Sequence, residues 1–243
     1  MKKKILIIIS ILILLSTLFF YYSNKSIEGL YIKNYEIFST DSNQDIYYDQ
    51  YVLEIKNQKF DNYFYGSNGI PSSFNYKKNG KNIKLTSIKN DSSSDYNIVL
   101  NKNHKDSIVF KTDRNNGEVV YFKIPDSLKN NTKISLAEKT FVLKSEKFID
   151  TIYFDKDYLL IKDLNPTDYW DTGGWELLNI NGFDIILTGY SFVYVVKDIN
   201  EKLFFYRFLQ GNRIVEIESF EIEGYDLTRV KKIIERLKQL ENE

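Results

Sequence analysis

The longest uniform stretch of apolar positions lies at the start of the chain. Lys2-Lys3-Lys4 precede an apolar run from Ile5 to Tyr22 in which only Ser10, Ser16 and Thr17 are polar. Hydroxyls of that kind can bond back to helix carbonyls. As a helix the 18 residues from 5 to 22 span about 27 Å, close to the ~30 Å hydrocarbon core of a bilayer. Three lysines precede the run and Lys25 alone stands just beyond it, a bias that holds the N-terminus in the cytoplasm. Phe19 to Tyr22 suit the outer interface as an aromatic anchor. A cleaved leader has a shorter apolar core, about 7–15 residues, and a small-x-small cleavage site. This run is longer, and no such site follows it. The pattern therefore predicts a signal anchor over residues 1–24: a single-pass transmembrane helix in the cell membrane, with the bulk of the chain extracytoplasmic, periplasmic or at the cell surface. Secretion after leader cleavage is the alternative.

Beyond Asn24 the pattern changes to short alternations broken by tight turns, which predicts strands. Residues 175–180 and 183–188 flank Asn181-Gly182, a two-residue hairpin signal because both positions tolerate positive φ. Residues 191–196 are apolar on both faces and read as the most buried strand. A polar loop follows over 198–202. Residues 203–210 and 213–222 flank Gly211-Asn212. Together these segments predict a five-stranded antiparallel meander. Its last strand changes phase: Val215 and Ile217 share one face, Phe220 and Ile222 the other. A bulge near Ser219 would restore a single buried face.

Upstream, Tyr51, Leu53 and Ile55 alternate with Val52, Glu54 and Lys56. Asn79-Gly80 separates 74–78 from 81–88, and Asn116-Gly117 separates 107–112 from 118–124. Pro71, Pro125 and Pro166 all fall in loop-like stretches, where a missing N–H costs nothing. The polar run from Pro125 to Thr132 marks the boundary between a first β subunit, 25–125, and a second, 126–225, which could also form one domain. Val52 to Lys56, then Asn-Gly, then Ile83-Lys84-Leu85 is echoed by Tyr158 to Lys162, Asn-Gly, and Ile185-Ile186-Leu187; duplication and generic β patterning both produce such an echo. Over 226–243, Asp226 is a candidate N-cap, and Leu227, Val230, Ile233, Ile234, Leu237 and Leu240 recur at helical spacing. The expected fold class is all-β, an antiparallel barrel or sandwich built as a meander of hairpins, with an N-terminal transmembrane helix and a C-terminal amphipathic helix packed on the β domain.

Gly29-Leu30-Tyr31 opens the exported part, and the Leu53/Ile55 strand, an Asn-Gly turn and Ile83-Lys84-Leu85 follow. Over residues 27–124 this order resembles small exported lipocalin-like barrels, which open on a Gly-x-Trp strand; Tyr31 stands where that Trp would be. The resemblance implies a barrel of the kind that binds small apolar ligands, and it carries no functional residue across.

Composition narrows the chemistry. Lys plus Arg and Asp plus Glu are 33 each, so the net charge is zero. Nothing in that balance points to nucleic acid. Aromatics reach 16%, which favours strands, although abundant Lys, Asn, Ile, Tyr and Phe together also suggest AT-rich coding. With no cysteine, disulfides, thiolate catalysis and Cys-zinc sites are excluded. His104 is the single histidine and reads as a solvated surface residue. No phosphate-binding glycine loop, Gly-x-Ser-x-Gly or His-Glu-x-x-His occurs, so no cofactor is expected. Two Asp-rich stretches, 40–45 and 91–95, lack the glycine and terminal glutamate of a calcium loop. They read as solvated turns, and no metal site is expected.

One cluster stands out: Asp168-Tyr169-Trp170-Asp171-Thr172-Gly173-Gly174-Trp175-Glu176. It holds both tryptophans of the chain and three carboxylates around a Gly-Gly pair. Exposed rings with carboxylates suit a sugar- or peptide-binding surface, with Tyr169, Trp170, Asp171 and Glu176 as ligand-binding candidates and Trp170 as the exposed anchor. Trp175 opening a strand and plugging the core is the competing reading. The functional expectation is a non-enzymatic extracytoplasmic binding or protein-interaction module, with a protein, sugar or small molecule as partner. The alternatives are a hydrolase using Asp171 and Glu176 as acid and base, and an inhibitory or protective protein that captures another protein through a sheet edge.

Overall fold

The computed structural model describes residues 26–33, 37–39, 46–48, 50–88, 95–112, 118–145, 149–162, 171–189, 192–209 and 213–240. Residues 1–25, which carry the expected anchor, lie outside these, as do 40–45 and 91–94 of the Asp-rich stretches. Among the described residues no helix is long and apolar enough to cross a membrane.

The strands close into two antiparallel barrels of eight, so the sandwich alternative is set aside. The first barrel takes β1 (Gly29–Lys33), β4 (Val52–Lys56), β5 (Lys59–Tyr63), β6 (Ser72–Asn79), β7 (Asn82–Ser87), β8 (Tyr96–Asn103), β9 (Ser107–Thr112) and β10 (Glu118–Lys123), each beside its predecessor, with β1 closing between β10 and β4. A separate ribbon joins β2 (Ile37–Ser39) to β3 (Ile46–Tyr48). The second barrel runs β11 (Lys139–Lys144), β12 (Ile149–Phe154), β13 (Tyr158–Lys162), β14 (Asp171–Ile180), β15 (Phe183–Thr188), β16 (Val193–Ile199), β17 (Lys202–Leu209) and β18 (Arg213–Glu221), and β18 closes on β11. Helix α1 (Thr228–Leu240) follows. By contact density the chain forms two compact units, one of residues 1–31, 53–62 and 72–123, the other of 32–52, 63–71 and 124–243.

Alternation explains the second barrel. Phe141, Phe154, Trp175, Tyr194 and Phe205 fill its interior edge to face, with Phe154 and Trp175 centroids 4.9 Å apart. In the first barrel Phe60 meets Tyr76 and Phe110, and Phe110 meets Tyr121. Tyr31 is buried in that unit and donates to the Ile27 carbonyl at 2.9 Å. The predicted meander is present as β14 to β18.

Four details differ from the sequence reading. The most buried strand is β15, buried at all six positions, whereas β16 is buried only through Val196. The expected loop at 198–202 shrinks to a two-residue turn, because Asn200 and Glu201 take φ of 55° and 66° and Asp198 Oδ1 accepts the Glu201 N–H. No bulge forms at Ser219: the pairing of β18 with β11 stays regular through Glu221. Ser219 turns inward and donates to the Leu203 carbonyl, while Phe220 faces out under the Lys202 ammonium, 4.4 Å from the ring centroid. Finally, the turn between β6 and β7 is Gly80-Lys81, one residue later than expected.

Helix α1 matches its pattern. The Asp226 carboxylate accepts the Thr228 N–H at 3.0 Å, and Val230 and Ile234 pack on Tyr153 and Leu160, on the outer face of β12 and β13.

Candidate functional site

The candidate surface lies on the second unit, around the loop that joins β5 to β6. Its sequence, Phe64-Tyr65-Gly66-Ser67-Asn68-Gly69-Ile70, carries two glycines and an asparagine, all at positive φ. Two backbone bonds close it: Ser67 N–H to the Phe64 carbonyl and Ile70 N–H to the Ser67 carbonyl, at 3.1 and 2.9 Å. Tight turns at Gly66 and Gly69 push the bulky side chains outward. Phe64, Tyr65 and Ile70 are 49%, 42% and 68% exposed.

The outer face of β14 and β15 pins this loop. Gly66 N–H donates to Glu176 Oε1 at 2.7 Å. The Tyr65 ring lies where a Cβ on Gly174 would stand, and it also packs against Gly189. Gly189 N–H in turn donates to the Gly174 carbonyl at 2.8 Å. Beside them, Gln50, Phe64, Tyr65, Leu187, Thr188, Gly189 and Phe192 line a cleft of about 280 Å³.

Gln50 gives the cleft a rigid wall. It is 6% exposed. Its amide donates to the Phe208 carbonyl at 2.9 Å and accepts the Val193 N–H at 3.2 Å. The side chain thus inserts into the ladder between β16 and β17 and satisfies two backbone groups that would otherwise be orphaned. The Thr188 hydroxyl, 3.1 Å from the Phe192 N–H, fixes the return into β16.

The sequence-predicted residues fare differently. Tyr169 and Trp170 lie outside the described residues, as does the side chain of Asp171. Gly173 and Gly174 both pair with β13, opposite Leu159 and Tyr158. The Tyr65 ring occupies the space above Gly174. Trp175 packs into the core, and its Nε1–H donates to the Asp155 carbonyl at 2.8 Å. Glu176 spends one carboxylate oxygen on the loop, and its Oε2 is sealed from solvent without a hydrogen-bond partner. Asp171 pairs opposite Ile161 and Glu176 opposite Leu187. Closed barrels also leave no free edge in either large sheet, which removes the geometry edge capture needs there. His104 is exposed, as expected.

The residues missed at first were Phe64, Tyr65 and Ile70. Their signal was present: an aromatic run followed by Gly-Ser-Asn-Gly, bulky rings attached to a forced turn. No family model matches the chain, and neither a curated protein nor a solved structure matches it.

Proposed function

We propose that this chain is a non-enzymatic binding or protein-interaction module, membrane-anchored through residues 5–22 and facing away from the cytoplasm, that engages its partner through the loop 64–70. The observation that carries the reading is three exposed apolar side chains on one short loop, Phe64, Tyr65 and Ile70, with Phe64 and Tyr65 lining a cleft on the barrel face. Clustered exposed aromatics of this kind mark interaction surfaces, and fixing the loop in advance lowers the entropy lost on binding. The anchor rests on the lysine bias and apolar length at the N-terminus.

Two experiments test the two halves. Protease added to intact spheroplasts should digest the exported part, and its protection would overturn the orientation. Pull-down from an envelope extract should retain a species with the wild-type chain and lose it with Phe64→Ser/Ile70→Ser. Identical recovery by the variant would remove the loop from the interaction.

A further inference from the structure

A groove of about 430 Å³ lies along the end of β14, lined by Tyr63, Gly69 and residues 177–181. All of these belong to the second unit. Leu178 and Ile180 are buried, and Asn179 between them is exposed. The turn that follows brings a second carboxamide to the groove, at Asn181, where φ is 51°.

The Asn179 side chain is held in place. Its Nδ2 donates to Asp184 Oδ1 at 3.0 Å, directly across the ladder. Asp184 is 0% exposed, and its other oxygen accepts Asn130 Nδ2 at 2.7 Å. Asn130 also donates to the Val196 carbonyl and accepts the Asp198 N–H, both at 2.8 Å. A buried carboxylate gripped from two sides thus fixes the plane of the Asn179 carboxamide. A carboxamide carries two N–H donors and one oxygen acceptor. Asp184 takes one N–H, and the other N–H and Oδ1 belong to an exposed residue of the groove.

The lining narrows the ligand. Among the described residues, none that lines the groove is charged, so an ion would give up hydration there without compensation. A wholly apolar ligand would cover carboxamides without satisfying them. A neutral molecule with donors and acceptors around its edge and an apolar face meets both conditions. A pyranose ring has that form: its hydroxyls both donate and accept, and its C–H faces pack on aromatic and aliphatic side chains.

We propose that the groove at the end of β14 binds a neutral pyranose unit of a glycan, with Asn179 bonding its hydroxyls and Tyr63 and Ile180 packing on its ring. The groove is distinct from the cleft beside Phe64, and its ligand does not rest on a protein partner at the loop 64–70.

The test is calorimetry on the full-length chain in a detergent without a sugar headgroup. Cellotriose, maltotriose and chitotriose are the probes, and trialanine is the neutral peptide comparator. At least one trisaccharide should bind saturably with a Kd in the millimolar range or tighter, and trialanine at least about tenfold more weakly. Asn179→Ala and Tyr63→Ala should each lose roughly fivefold or more in affinity for that sugar. The bound sugar should also slow amide hydrogen exchange at residues 177–181 of the wild-type chain. Binding of none of the three sugars, trialanine binding as tightly as the best of them, or an unchanged Asn179→Ala each overturns the proposal. Should Asn179→Ala fail to melt cooperatively, the wild-type exchange decides, and a bound sugar that leaves residues 177–181 unprotected overturns it.

Discussion

A methyl group at position 174 would collide with the ring of Tyr65. The colliding atoms are the far end of one side chain, so the backbone of β14 need not move. Gly174→Ala should therefore leave the barrel folded and expel Tyr65 from its seat, at a cost of about 1 kcal/mol. Tyr65→Ala removes the same contact and should cost a similar amount. The double variant should then be no less stable than either single one, a coupling energy about as large as one single effect. Chemical denaturation of the three variants reads this directly, and additive losses would mean that Tyr65 and Gly174 do not share a seat. The pair also shows what sequence hides. Gly173-Gly174 reads as open space because glycine lacks a side chain, and only the fold reveals that a ring from the loop between β5 and β6 fills it. Trp175 was legible, since a large ring at an inward-facing strand position has few other places to go. Gln50 was not: nothing local distinguishes a solvated glutamine from one inserted into a ladder.

Among the elements, turns were legible where glycine announces them and missed where it does not. Asn181-Gly182 sits where expected, with φ of 51° and 85°. Asn57-Gln58 and Asn200-Glu201 make the same kind of turn at φ of 51°, 60°, 55° and 66°, although Gln and Glu enter the left-handed region at a cost of roughly 1 kcal/mol. The strands on either side impose that geometry, and the local sequence does not. In β18 the opposite happened. Its phase change is real in the sequence, yet barrel closure on β11 and β17 fixes the register at both edges. A bulge at Ser219 would break the ladder to β11 immediately beyond the last β17 pair at Glu218. An exposed Phe220 beneath Lys202, with Lys202 also paired to Glu218, preserves both. The internal echo is only half in register for the same topological reason. The two Asn-Gly hairpins both join the fourth and fifth strands of their barrels, whereas Val52–Lys56 is a second strand and Tyr158–Lys162 a third.

Across the whole molecule, aromatic cores in both barrels predict how it fails at high pH. Burial, and then the neighbouring Tyr76, push the Tyr31 hydroxyl up to about 12. Tyr76 is raised by burial and Glu28, Tyr153 by burial and Asp155, and Tyr194 by burial and Asp150 against the opposing effect of Arg207. Tyr206 is raised by burial and by its 2.7 Å hydrogen bond to Glu216. In an unfolded chain all five would ionise near pH 10. Below that pH each is neutral in both states, and its contribution to stability is fully present. As pH rises past 10 the unfolded state releases protons that the folded state retains. Stability then falls by up to about 1.4 kcal/mol per pH unit for each tyrosine still protonated. Tyr31 alone, held to about 12, accounts for roughly 2–3 kcal/mol across that window. A marginally stable domain holds about 5–15 kcal/mol in total, so in each barrel the loss is a sizeable fraction of what keeps it folded. The expected outcome is a cooperative alkaline transition between pH 10 and about 12, with phenolate absorbance rising in step with loss of β circular dichroism. Tyr31→Phe should flatten the slope, because phenylalanine has no proton to release. Tyrosine ionisation that proceeds gradually from pH 10 while the barrels stay folded would show that these hydroxyls reach solvent, and would remove burial as the reason for their shifts.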